Sequence, residues 1–265
     1  MGHDYVIRHE AEVPAEPEQV WEAIATGPGM DSWFMGSNEV EAGPGGLIRT
    51  HTRRGPLDST VTGWDPLKLL EHRSGTGPDG RFIAYEFLIE GRDSGSTVLR
   101  LSTSGFLPGD DWEGEFEAMG QGIALFFRTL VEQLTHFAGR TARPLTLFGA
   151  PGLRWTDART RLLQELGLGA EPVHPGTGTG TGPTVRTTSP ALAALASGTV
   201  YHAEPAALAV RTDAGLFRFL LLFPENGVML AHHLFDPAAD LERTTAGWRS
   251  WLDTLNDPTV PRESP

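Results

Sequence analysis

Trp112-Glu-Gly-Glu-Phe-Glu-Ala-Met-Gly-Gln-Gly-Ile-Ala-Leu-Phe-Phe-Arg-Thr-Leu-Val-Glu-Gln-Leu-Thr-His-Phe137 is the stretch on which the fold turns. Phe116, Met119, Ile123, Phe126, Leu130 and Phe137 fall close to one stripe of a long helix. The stretch follows a strand-like run, Thr97-Val-Leu-Arg-Leu-Ser-Thr-Ser104. A strand-rich segment closed by a long amphipathic helix predicts a helix lying across a curved antiparallel sheet, a grip that encloses an apolar cavity. Holding a hydrophobic molecule is the role to which this points.

Working back from the helix, turn signals cut the chain into short strands. Gly43-Pro-Gly-Gly46, Arg54-Gly-Pro56, Asp65-Pro66, Gly77-Pro-Asp-Gly80 and Asp93-Ser-Gly95 separate candidate strands at 39–42, 47–52, 59–64, 67–73, 82–89 and 97–104. An opening strand at 5–13 ends at Pro14. Pro17 suits a helix first turn, with Val20, Ala23 and Ile24 inward and Gly27-Pro28-Gly29 as the stop. A second brief helix at 30–34 carries Trp33 and Phe34. The order strand, helix pair, strands, long helix reads as α+β with a sequentially connected antiparallel sheet.

The grammar restarts after Gly139. Leu145-Thr-Leu-Phe148 reads as a strand, and Thr156-Asp157 offers an N-cap to a helix carrying Leu162, Leu163 and Leu166. Gly/Thr repeats at 175–183 form a loop; they lack the strand, helix and Lys of a phosphate cradle. Strands are expected at 184–188, 198–202, 207–211, 216–223 and 228–235, with Asn226-Gly227 the clearest hairpin signal. A final helix at 239–255 carries Leu241, Trp248, Trp251, Leu252 and Leu255 on one face. Val98-Leu-Arg-Leu-Ser-Thr-Ser-Gly-Phe106 and Val228-Met-Leu-Ala-His-His-Leu-Phe235 are similar strands before similar helices. The expectation is two diverged copies of one domain, at 1–140 and 141–265.

Composition narrows the function. The chain has 265 residues, 39% hydrophobic and 9% aromatic, and no apolar run long enough to span a membrane. Its first residues lack the plan of a secretory signal, so a cytoplasmic location is expected. With no cysteine, disulfides, thiolate catalysis and Cys-ligated zinc are excluded. The net charge of −13, from 34 acidic and 21 basic residues, disfavours nucleic acid and anionic lipid. The one dense basic patch, Arg49-Thr-His-Thr-Arg-Arg54, reads as a solvated face.

Pro17-Glu-Gln-Val-Trp-Glu-Ala-Ile-Ala25, Trp33-Phe34, Gly63-Trp-Asp-Pro-Leu-Lys-Leu-Leu70, the strand at 97–106 and the closing helix together resemble the START-like (SRPBCC) superfamily, which includes Bet v 1 allergens and polyketide cyclases. Within it, these residues are most similar to bacterial proteins sharing the domain of Hsp90-ATPase activators (Aha1-like). The resemblance spans about 5–138; in 145–257 it rests on 198–235 and Ala246-Gly-Trp-Arg-Ser-Trp-Leu252. It implies a helix-grip fold with a cavity for lipids, polyketides or other apolar molecules, and no universal catalytic residues.

No motif competes with that reading. His232-His233 are strand neighbours that point to opposite faces, so they do not share an ion, and no metal or cofactor is expected. Asp110-Asp111 supply negative charge at a helix start. Glu71-His72-Arg73 reads as a solvated strand edge. The pocket lining is read as Trp33, Phe34, Trp64, Tyr85 and Phe87 from the first helices and the sheet, and Phe116, Met119, Ile123 and Phe126 from the helix. Arg100 or His72, if inward, would meet a ligand's polar end. Three functions fit: a non-enzymatic binder of a small hydrophobic molecule, a cyclase- or hydrolase-like enzyme with a cavity acid or base, and a chaperone-associated module with a protein partner.

Overall fold

The computed structural model describes residues 2–93, 95–110, 112–168, 182–222 and 226–255. It divides into two compact units, Met1–Ala142 and Arg143–Pro265, beside the expected domains at 1–140 and 141–265. Residues 175–181 of the expected Gly/Thr loop, Asp111, Ser94 and the start of the 224–227 turn lie outside the described residues.

In the first unit, β1 (His3–Val13) leads into α1 (Pro17–Ala25) and α2 (Gly27–Met30). α1 starts where it does because Pro17 needs no donor partner and the Glu16 N–H donates to Gln19 Oε1 at 3.0 Å. Thr26 Oγ1 accepts from Gly29 N at 3.0 Å, and a Cβ at Gly29 would run into the α1 backbone at Glu22 and Ala23. Six strands follow: β2 (Ser37–Val40), β3 (Leu47–Thr52), β4 (Gly55–Asp65), β5 (Leu69–Ser74), β6 (Phe82–Arg92) and β7 (Ser96–Leu107). They form a seven-stranded antiparallel meander that β1 completes by pairing with β7, giving the order β1-β7-β6-β5-β4-β3-β2. α3 (Trp112–His136) then crosses the sheet. Its Ile123, Phe127, Leu130 and Leu134 share one core with Val20 and Ile24 of α1, Phe87 of β6 and Leu99 and Leu101 of β7. This is the helix-grip arrangement.

The second unit is α+β in the same order with fewer strands. β8 (Arg143–Phe148) precedes α4 (Trp155–Glu165) and a 3-10 turn at Pro190–Leu195. β9 (Thr199–Glu204), β10 (Ala207–Thr212), β11 (Gly215–Leu222) and β12 (Gly227–Leu234) follow, then α5 (Leu241–Leu255). The five-stranded order β8-β12-β11-β10-β9 again pairs the first strand with the last. Under α5 the interior is filled by rings: Phe217, Phe219 and His232 from the sheet meet Trp248 and Trp251 from the helix.

Three local expectations change. The strand at 184–188 is reduced to one bridge, Thr184 to Thr199, because Val185 N bonds Gly198 O while Arg186 N turns away to Leu166 O at the end of α4. α4 begins at Trp155, with Arg154 rather than Thr156-Asp157 at the N-cap position and no side-chain capping bond. Its first turn is fixed by tertiary bonds, Trp155 N to Asn226 O and the indole N–H to Pro205 O at 2.7 Å. The second brief helix, expected at 30–34 after a stop at Gly27-Pro28-Gly29, is instead α2 at Gly27–Met30, and Trp33 and Phe34 follow it in a turn.

Leu130 is fully buried at the centre of the α3 contact. Leu130→Ala is expected to destabilise the first unit by about 2–5 kcal/mol with an unchanged denaturant slope. Denaturant unfolding followed on first-unit amide signals checks this; a loss below about 1 kcal/mol would mean α3 is not seated on the sheet.

Candidate functional site

The inner face of the first sheet is fixed by period-two alternation and strand register. One row runs Leu70, Phe87, Leu101 and His9 across β5, β6, β7 and β1. The next runs His72, Tyr85, Thr103 and Ile7, and a third holds Ile83, Gly105 and Tyr5. Gly105 is required there, because a Cβ would strike Phe82 O and the Tyr5 side chain. α3 lies over these rows.

Between sheet and helix lies a small, partly open cavity of about 20 Å³, lined by Ile24, Met30, Trp33, Phe34, His72, Tyr85, Phe87, Leu101, Ile123 and Phe126. By this measure the void holds about one water. Its upper wall is an aromatic chain: Trp33 lies 5.2 Å from Phe34, which lies 4.8 Å from Phe126. Trp33 is pinned by its indole N–H, which donates to Ala23 O of α1 at 2.9 Å. His72 stacks on Tyr85 at 4.9 Å, and its Nδ1 is buried without a hydrogen-bond partner.

One strand repeat towards the start of α3 is an open groove of about 490 Å³. Tyr5, Phe82, Ile83, Leu107 and Met119 give it apolar walls, and Ser74, Asp79, Arg81 and Glu115 give it a polar rim. Arg81 on the β5–β6 loop pairs with Glu115 of α3 across that rim, and its N–H donates to Asp79 Oδ1 at 3.1 Å.

The titratable groups on the inner face, in contrast to the charged rim, are held uncharged. Burial lowers His72 to about 4. Burial, then the Glu115 carboxylate, pushes Tyr5 up to about 12. Burial also raises Tyr85 above its ordinary value.

Six of the ten residues read as pocket lining stand in the cavity wall: Trp33, Phe34, Tyr85, Phe87, Ile123 and Phe126. Met119 lines the groove, and Phe116 sits beside it, 6.0 Å from Tyr5. Trp64 instead packs edge-on against Trp21 of α1 at 4.9 Å. Arg100 is a correction: between inward Leu99 and Leu101 it must point outward, and there it bonds Glu10 and, at 3.0 Å, Glu90. His72 is inward and buried, not on a solvated edge, because it faces Tyr85 across β5–β6. Ile24, Met30 and Leu101 were missed as lining; the Leu99-Leu101-Thr103 alternation would have found the last. The basic patch is a solvated face, with Arg49 on Asp58 at 2.8 Å and His51 on Glu39 at 2.9 Å. Among the described residues no three His, Asp or Glu side chains are grouped as a metal would need. Among the same residues no helix is long and apolar enough to cross a membrane.

A helix-grip sheet closed by α3 over an apolar gap defines a START-like, Bet v 1-like domain. Residues 5–138, half of the chain, match the family described as polyketide cyclase / dehydrase and lipid transport, and the chain belongs to that family. Among solved structures, MLL2253 from Mesorhizobium loti is 24% identical over 49% of this chain and 96% of its own, with a TM-score of 0.43. Aha1 from Colwellia psychrerythraea is 22% identical over 49% of this chain and 96% of its own, with a TM-score of 0.42. DynU16, described as a putative protein in the dynemicin biosynthetic locus, is 20% identical over 95% of this chain and 96% of its own, with a TM-score of 0.40. No curated protein matches the chain.

An unfolded histidine takes up its proton near 6.5 and the folded His72 only near 4. Below pH 6.5 the unfolded state therefore binds the extra proton. His72 contributes stability above that pH that is lost as pH falls towards 4, at about 1.4 kcal/mol per pH unit. An NMR titration should find the His72 ring still neutral at about pH 5.5. An inflection near its unfolded value would show that the ring is solvated.

Proposed function

We propose that the first unit binds a small, largely apolar molecule between the sheet and α3, with the groove as its seat and the small cavity as its deep end. The observation that carries this is the groove itself: about 490 Å³, walled by Tyr5, Ile83, Leu107 and Met119, and one strand repeat from an apolar void lined by rings. That volume is within the range of about 300–1,000 Å³ usual for small-molecule sites. The cavity alone is far too small for such a ligand, so the bulk of the molecule rests in the groove. Family membership supports the same reading. The net charge of −13 weighs against a phosphate-backbone partner.

We read the second unit as a diverged copy of the first. The support is its repeated order of elements and its first-to-last strand pairing. Phe217, Phe219, Trp248 and Trp251 occupy the space under α5, so ligand binding is assigned to the first unit.

Titration of the full chain with N-phenyl-1-naphthylamine, a neutral fluorophore that brightens in apolar surroundings, should give saturable 1:1 binding. Ile83→Trp, which fills the groove, should weaken it by about tenfold or more, roughly 1.4 kcal/mol. A linear, unsaturable signal, or equal binding by the variant, would remove the groove as the seat.

A further inference from the structure

We propose that His72 and Tyr85 recognise a neutral hydroxyl on the ligand, so that the site prefers aromatic or alicyclic alcohols over the matching hydrocarbons and acids. This rests on the reading of the first unit as a binder and adds the ligand's chemical class.

The row is a polar rung in an apolar ladder. His72 faces Tyr85 across β5–β6, and Tyr85 faces Thr103 across β6–β7. Leu70, Phe87 and Leu101 flank the rung on one side, and Ile83 with Gly105 on the other. Two of its polar atoms, His72 Nδ1 and Thr103 Oγ1, are buried with no hydrogen-bond partner. His72 is 7% exposed and Thr103 0%. A buried polar atom left unpaired costs about 1–3 kcal/mol, and at His72, which lines the cavity, a partner brought in from outside would relieve it.

The space selects the partner. A cavity of about 20 Å³ admits one small group, the size of a water or a hydroxyl, beside His72 and Tyr85. The groove residue Ile83 lies two positions along β6 from Tyr85, about 7 Å. A bicyclic body resting in the groove therefore reaches the rung with a substituent.

Charge and proton bookkeeping favour a hydroxyl. It both donates and accepts, so it satisfies His72 Nδ1 in either ring tautomer while the Tyr85 hydroxyl supplies the complementary role. A carboxylate would enter without a counter-charge and lose its hydration. Burial keeps His72 neutral, and no Lys or Arg lines the cavity. Arg81 on the rim is paired with Glu115, and Arg100 bonds Glu10 and Glu90 on the opposite face of the sheet.

The test titrates the full chain at pH 7 with 2-naphthol, naphthalene and 2-naphthoate, followed by NMR shifts of the unit. Wild type should bind 2-naphthol about tenfold more tightly than either of the others. Tyr85→Phe, nearly isosteric, and His72→Leu should each lower 2-naphthol affinity about fivefold or more while leaving naphthalene unchanged. Equal binding of naphthol and naphthalene, or tightest binding of naphthoate, overturns the hydroxyl preference and leaves the binding role standing. No binding of any of the three overturns both. Should His72→Leu fail to fold, the wild-type ranking and Tyr85→Phe still decide.

Discussion

The seating of α3 on the inner rows of the first sheet is the constraint on which the rest depends. Ile123, Phe127, Leu130 and Leu134 are buried against strands that, left open, would present alternating apolar residues to water. The same covering changes the chemistry of the polar residues in those rows. On an open sheet His72, Tyr85 and Thr103 would be hydrated and unremarkable. Under the helix they lose that water, His72 is held neutral, and two of their atoms are left without partners. Fold and candidate site thus follow from one packing event.

Much of the first unit was legible because its signals are local. Glycine and proline clusters marked the turns, alternation marked the strands, and the α3 stripe marked the closing helix. What failed depended on partners distant in sequence. Trp64 has the look of a pocket residue, but its place is decided by Trp21 of α1. The start of α4 is set by Pro205 and Asn226 rather than by its own Thr156-Asp157. His72 sits between Glu71 and Arg73, a charged triplet that reads as solvated, and only the sheet's facing shows that the middle member turns inward. Arg100 is the reverse case, since alternation with Leu99 and Leu101 already placed it outside.

The two units show how one order of elements yields different interiors. Each begins with a strand that later pairs with the last strand, and each closes with an amphipathic helix. In the second unit the helix brings Trp248 and Trp251 down onto Phe217 and Phe219, and the rings meet at 5.7–6.0 Å. Large flat side chains from both layers fill the space beneath a short sheet. In the first unit the start of α3 rests on β1 through Trp112 on His3 and Phe116 on Tyr5, and beside Met119 the groove stays open. The buried histidines differ accordingly. His232, held near 3 by burial, has its Nδ1 accepting from Arg218 N and its ring against Trp248. His72 has a void beside it.

That void is the telling contrast, because His232 also buries an unpaired nitrogen, Nε2, but has the rings of Phe217, Phe219 and Trp248 packed against it, whereas His72 faces open space. A leucine or phenylalanine at the same place would fill the space, avoid the loss of about 1–3 kcal/mol and escape the penalty in acid. Sequences depart from such local optima where a site must hold hydrogen-bonding capacity ready in a dry place, and stability is then surrendered for recognition. The polar rung fits that pattern better than an error of packing, since Leu70, Phe87 and Leu101 on one side and Ile83 with Gly105 on the other keep its neighbours apolar. A ligand that carries its own hydroxyl returns to the rung the hydrogen bonds that α3 took away, and it does so without bringing a charge that the cavity has no means to balance.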